Sequence, residues 1–106
     1  MSKYIYEVRL STGRSHPEFH QFHTNVNNLK AQAPDFGGIN SLCIIAHHMD
    51  AKTVHLLCSE EMKAKKDITV EEITRDTLND EQSPHRVHND LVNGYFLPHD
   101  DYPNIK

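Results

Sequence analysis

Between Ile39 and His48 the chain is apolar at odd and even positions alike: Leu42, Cys43, Ile44, Ile45 and Ala46 follow one another with no polar interruption. No other feature constrains the fold as much. A short run rich in branched residues and bounded by turn signals reads as a β-strand. Successive strand side chains point to opposite faces, so a strand apolar on both must be central and covered, at least in part, on both sides.

Downstream, Thr53 to Ser59 predicts a further strand, with Met49 to Lys52 as a tight turn and Asp50 and Ala51 at its tip. In that hairpin Cys43 faces Cys58, Ile45 faces Leu56, and His48 and His55 lie diagonally on one sheet face. A slip of one residue would separate them. Upstream, Tyr4, Tyr6, Val8 and Leu10 alternate with Ile5, Glu7 and Arg9, the period of a half-buried strand. Ser11 to Arg14 follows as a turn. Ser15 with Glu18 then forms a capping box, Pro17 is tolerated in a first turn, and Phe19, Phe22, Val26, Leu29 and Ala33 make one apolar stripe. These predict a helix over 15–33, stopped by Pro34 and Gly37-Gly38.

Glu60 to Asp67 is a charged connection. Thr69 with Glu72 is a second capping box, and Val70, Ile73, Thr77 and Leu78 predict a helix ending near Asn79. A strand through Ile68, Val70 and Ile73 is the alternative reading. Ser83-Pro84 marks another helix start, with Val87, Leu91 and Val92 as its stripe and Gly94 at its C′ position. From Tyr95 to Lys106 the tail carries Phe96, Leu97, Tyr102 and Ile105, too apolar for a free linker. It is expected against the body or a neighbouring subunit.

The order β-α-β-β-α-α, in a single domain over 1–106, predicts an α+β fold: an antiparallel sheet of three or more strands with helices on one face. It matches the ferredoxin-like split β-α-β pattern without a clear last strand. The uncovered face would be apolar, and an exposed apolar face normally marks an interface. A homodimer through that face is therefore expected.

Nine histidines stand in these 106 residues against eleven Lys and Arg. Histidine titrates near neutral pH and is the commonest metal ligand. Protonating them would carry the formal charge from −4 into positive values. On the predicted helix His16, His20 and His23 fall at i, i+4 and i+7, one ridge at the rim of the core. Such a ridge can chelate Zn²⁺, Ni²⁺ or Cu²⁺, although no acidic or Cys partner shares it. His48 and His55 form a second candidate pair across the hairpin. His85 and His88, with Asp90 nearby and His99-Asp100-Asp101 in the tail, form a third grouping, suited to a carboxylate orienting an imidazole. The prevailing alternative for each is solvation of a polar face. Cys43 and Cys58 read as buried small hydrophobes, because His47 lies too far along the strand to share an ion with both.

The acidic balance argues against direct nucleic-acid binding, which needs clustered cations; the Lys63 to Lys66 run is short and flanked by acids. No segment approaches the roughly 20 apolar residues of a membrane span, the N-terminus lacks a signal-peptide apolar region, and two cysteines make no disulfide scaffold. A cytoplasmic protein is expected. Phosphate-cradling, dinucleotide-binding, nucleophile-elbow and C-x-x-C motifs are absent. The leading expectation is an acidic, self-associating interaction or regulatory module for a basic protein partner. The alternatives are a histidine-based transition-metal binder and a small enzyme using a histidine as acid or base.

Overall fold

The computed structural model describes residues 3–12, 15–29, 36–37 and 42–98. Its strands are β1 (Tyr4–Leu10), β2 (Phe36–Gly37), β3 (Leu42–His47) and β4 (Ile68–Ile73). Its α-helices are α1 (Phe19–Asn28), α2 (Ala51–Cys58), α3 (Arg75–Asn79) and the single turn α4 (Asn89–Leu91). A 3₁₀ turn over Pro84–His88 leads into α4, and a π-helical turn over Val92–Phe96 leads out of it. The fold is α+β. Three full strands and the two-residue β2 form an antiparallel sheet in the order β2-β3-β1-β4.

β1 lies between β3 and β4, and every residue from Ile5 to Val8 is buried. The expectation of a half-buried strand is corrected accordingly: only Arg9 is exposed along β1. The register sorts the side chains into two faces. On the first, Tyr6, Val8 and Leu10 meet Cys43, Ile45 and Ile68, under Phe22 and Val26 of α1 and Val54 and Cys58 of α2. On the second, Ile5 stands beside Ala46 and Ile73, with Ile44 adjacent, and Leu78, Val92 and Phe96 close over them. The apolar run in β3 is thus covered on both sides, as its composition demands. The cover on the second face is the chain's own segment 75–97, so the expected placement of helices on one face is corrected to both. A dimer argued from a bare sheet face loses its premise.

The hairpin at Asp50-Ala51 is also corrected. Asp50 takes an extended backbone (φ −74°, ψ 169°), and its carboxylate accepts the Thr53 N–H at 2.8 Å, the N-cap of α2. Val54 and Cys58, four apart, turn inward, while Leu56 is 59% exposed. An alternating strand would have buried Val54, Leu56 and Cys58 together. The Thr69–Glu72 capping box is replaced by β4, the strand alternative. The capping box lies five residues on, where Thr74 Oγ1 accepts the Thr77 N–H at 3.3 Å and Thr77 Oγ1 accepts the Thr74 N–H at 2.9 Å.

α1 starts four residues later than predicted. Ser15 Oγ donates to Thr12 O, and the Glu18 carboxylate accepts the backbone N–H groups of Lys63 and Ala64 at 2.9 and 2.8 Å. Glu18 therefore caps a distant loop rather than its own helix. The stripe is correct where described: Phe22 and Val26 are buried and Phe19 and Leu29 pack against the same cluster. Residues 30–33 lie outside the described residues. Asn25 Nδ2 donates to Cys58 O at 2.9 Å and to Glu60 O at 2.7 Å, which pins α1 to the end of α2. Ser83 does cap the turn at Pro84, accepting the His85 N–H. Gly94 sits inside the π turn, not at a C′ position. Of the predicted tail, Phe96 is buried in the second-face cluster, and 99–106 lie outside the described residues.

Candidate functional site

Two glutamates share the second sheet face. Glu7 on β1 and Glu71 on β4 are register partners, so their side chains project side by side. Like charges directly opposite on neighbouring strands repel, and Glu7 is only 4% exposed. A buried carboxylate without compensation costs several kcal/mol. Compensation comes from three directions. Arg9, two residues along β1, donates from Nη2 to Glu7 Oε1 at 3.1 Å. His88 donates from Nε2 to Glu7 Oε2 at 2.8 Å. His85 donates from Nε2 to Glu71 Oε2 at 2.9 Å. Burial pushes the Glu7 carboxyl up, but the His88 hydrogen bond, then Arg9 and the two imidazoles, outweigh it and hold the group below the usual carboxylate range. Glu7 is therefore ionised at neutral pH.

The Pro84–His88 turn makes this arrangement local. Three residues per 3₁₀ turn place i and i+3 on the same side, so His85 and His88 both reach down to the sheet. One ligand-capable atom each from Glu7, Glu71 and His85 lie within 4.8 Å of one another, the one such group of three among the described residues. A tetrahedral ion at about 2.1 Å from its ligands holds them about 3.4 Å apart. His85 is buried, and its Nδ1 has no hydrogen-bond partner. That nitrogen is on the opposite edge of the ring from Nε2, which meets Glu71, so it takes no part in the cluster.

The histidines singled out from sequence as metal ligands are not assembled in this way. His16 precedes α1, so the three-histidine ridge does not form. Its Nδ1 accepts the Glu18 N–H at 2.9 Å, which leaves the proton on Nε2 to be donated to Asp67 Oδ2 at 2.8 Å. Both nitrogens are engaged. His20 and His23 do share a face of α1, where each ring lies near Phe19, with centroids 6.2 and 5.8 Å away. His48 is exposed and stacks on His47 at 4.7 Å. His55 is on α2 and bonds the Ile68 carbonyl at 3.1 Å through Nε2, so its expected approach to His48 across a hairpin does not occur. Asp90 makes no part of the cluster, and His99-Asp100-Asp101 lie outside the described residues.

Sequence reasoning grouped His85 with His88 but missed both glutamates. Their one local signal was an acid at an inward-facing position of an alternating strand: Glu7 shares parity with Ile5. Cys43 and Cys58 are free and buried, as expected of core thiols. Burial pushes both up to about 12, with Cys58 adding to the shift of Cys43. Neither supplies a thiolate.

Compared with known protein families, curated proteins and solved structures, the chain matches none.

Proposed function

We propose that this chain is a small regulatory module that binds a divalent transition-metal ion through Glu7, Glu71 and His85, with His88 and Arg9 orienting Glu7. One observation carries the reading: three donors from β1, β4 and the 84–88 turn converge within 4.8 Å. Two carboxylate oxygens and an imidazole nitrogen form a borderline donor set suited to Zn²⁺ and its first-row neighbours. The ion would neutralise the opposed carboxylates. Glu7 is already in the deprotonated form that ligation needs.

The frame we assign is ferredoxin-like. The element order β1-α1-β2-β3-α2-β4 and the sheet order β2-β3-β1-β4 support it; fold alone implies no activity. A cytoplasmic protein with a basic protein partner completes the proposal, supported by the net charge of −4. No helix among the described residues is long and apolar enough to cross a membrane.

The test is calorimetry of the untagged protein with Zn²⁺, Ni²⁺ and Cu²⁺. One ion per chain is expected, with at least about a tenfold loss of affinity in Glu71→Gln, as even outer-shell changes at metal sites cost about 10–100-fold. Glu71 is half exposed, so that variant should fold. The double variant His20→Gln/His23→Gln should bind as the parent does. Binding that survives Glu71→Gln but disappears in the α1 variant would move the site to α1 and end this reading.

A further inference from the structure

The same cluster has a position as well as a donor set. Glu7 and Glu71 belong to the sheet, whereas His85 and His88 belong to the layer that covers it. The site therefore straddles the junction between the second sheet face and segment 75–97. We infer that it is a metal-operated clasp: an ion held there ties the C-terminal layer to the sheet, and loss of the ion frees that layer. The inference rests on the metal-binding reading and adds to it what binding controls.

Three observations support it. The layer has no helix able to stand alone: α3 has five residues, the 3₁₀ turn five, α4 three and the π turn five. Isolated helices below about 12–15 residues are marginal in water, so the layer's order depends on docking. The apolar grip is narrow, with Leu78, Val92 and Phe96 fully buried and Leu91 and Leu97 only partly. The first-face helices are held more broadly, by Phe22, Val26, Val54 and Cys58 together with the Asn25 bonds that join α1 to α2. Finally, the polar links between layer and sheet include the ligating residue His85 and its neighbour His88, three apart on one turn. Segments with few apolar contacts and short helices open first. A ligand that binds only the docked form shifts that opening by mass action.

Opening would uncover Ile5, Ile44, Ala46 and Ile73, the second apolar face of the sheet. Metal occupancy would thereby decide whether this face is hidden.

Hydrogen exchange of the full-length protein, followed by mass spectrometry with and without Zn²⁺, tests the clasp. At a free Zn²⁺ concentration of about 100 times Kd, the exchange of amides in 84–97 should slow by about a hundredfold. Amides of β1 and β3 should change much less, and at the same free Zn²⁺ Glu71→Gln should cut the protection to about tenfold or less. Three outcomes overturn the inference. If calorimetry shows stoichiometric binding while protection of 84–97 is unchanged, the metal reading stands and the clasp falls. If protection rises equally in β1, β3 and 84–97, the layer is not a separate unit and the clasp falls. If no ion binds, both fall together.

Discussion

At the residue scale, the histidines divide by which nitrogen is used and by what surrounds the ring. His47 shows the consequence of burial. It is 9% exposed, and its Nδ1 accepts the Met49 N–H at 3.1 Å, a role only an unprotonated nitrogen can fill. Burial first, then His48 and Lys3, hold its pKa below the ordinary value of 6.5. The unfolded chain therefore takes up the proton more readily than the folded one. The stabilising effect of neutral His47 is complete above about pH 6.5 and is lost as pH falls from there through the lower folded value. Urea unfolding should show a stability loss as pH falls below about 6.5 that is smaller in His47→Asn, which keeps an acceptor but cannot charge. Identical losses in the two proteins would reject this account. Little of it was legible in sequence, because His47 and His48 differ by one position while one is buried and the other exposed.

At the scale of elements, two segments exchange the structures predicted for them, and both were ambiguous for the same reason. Val54, Leu56 and Cys58 fit a period of two, whereas Ala51, Val54 and Cys58 fit spacings of three and four. The deciding local group was Asp50, an N-cap residue placed just before the run. Replacing it should therefore weaken α2: Asp50→Ala is expected to cost about 1 kcal/mol, in the range of about 0.5–2 for lost N-caps. Thermal and urea unfolding measure it. No change at all would argue that Asp50 is a turn residue and α2 is misassigned. In the other segment, Thr69 and Glu72 imitate a capping box while Ile68, Val70 and Ile73 make a strand, and the competition is settled by pairing with β1.

At the scale of the molecule, the second layer changes the meaning of the chain. A sheet with one covered face would need a partner; here residues 75–97 take that place and bring two histidines onto Glu7 and Glu71. Phe96 anchors the layer with no exposed surface. Phe96→Ala should lower stability by about 3–5 kcal/mol, the cost of emptying a buried aromatic site. Equilibrium unfolding gives the value, and a loss under about 1 kcal/mol, the scale of a surface change, would mean that the layer is not packed on the sheet. Glu7 and His88 are 81 positions apart and meet at 2.8 Å. No spacing rule over a helix turn or a strand pair reaches across such a separation, so this contact had no local trace.

The amino-acid order by itself determined β1, the buried side of α1, the double cover required by β3 and the start at Ser83-Pro84. Each of these depends on neighbours within about four residues, where side-chain period and capping act directly. Tertiary structure decided that 51–58 coils, that 68–73 extends, and that Glu7, Glu71, His85 and His88 converge. Those outcomes follow from which strand pairs with β1 and from what must close over its second face, energies that exist only once distant parts of the chain are in contact.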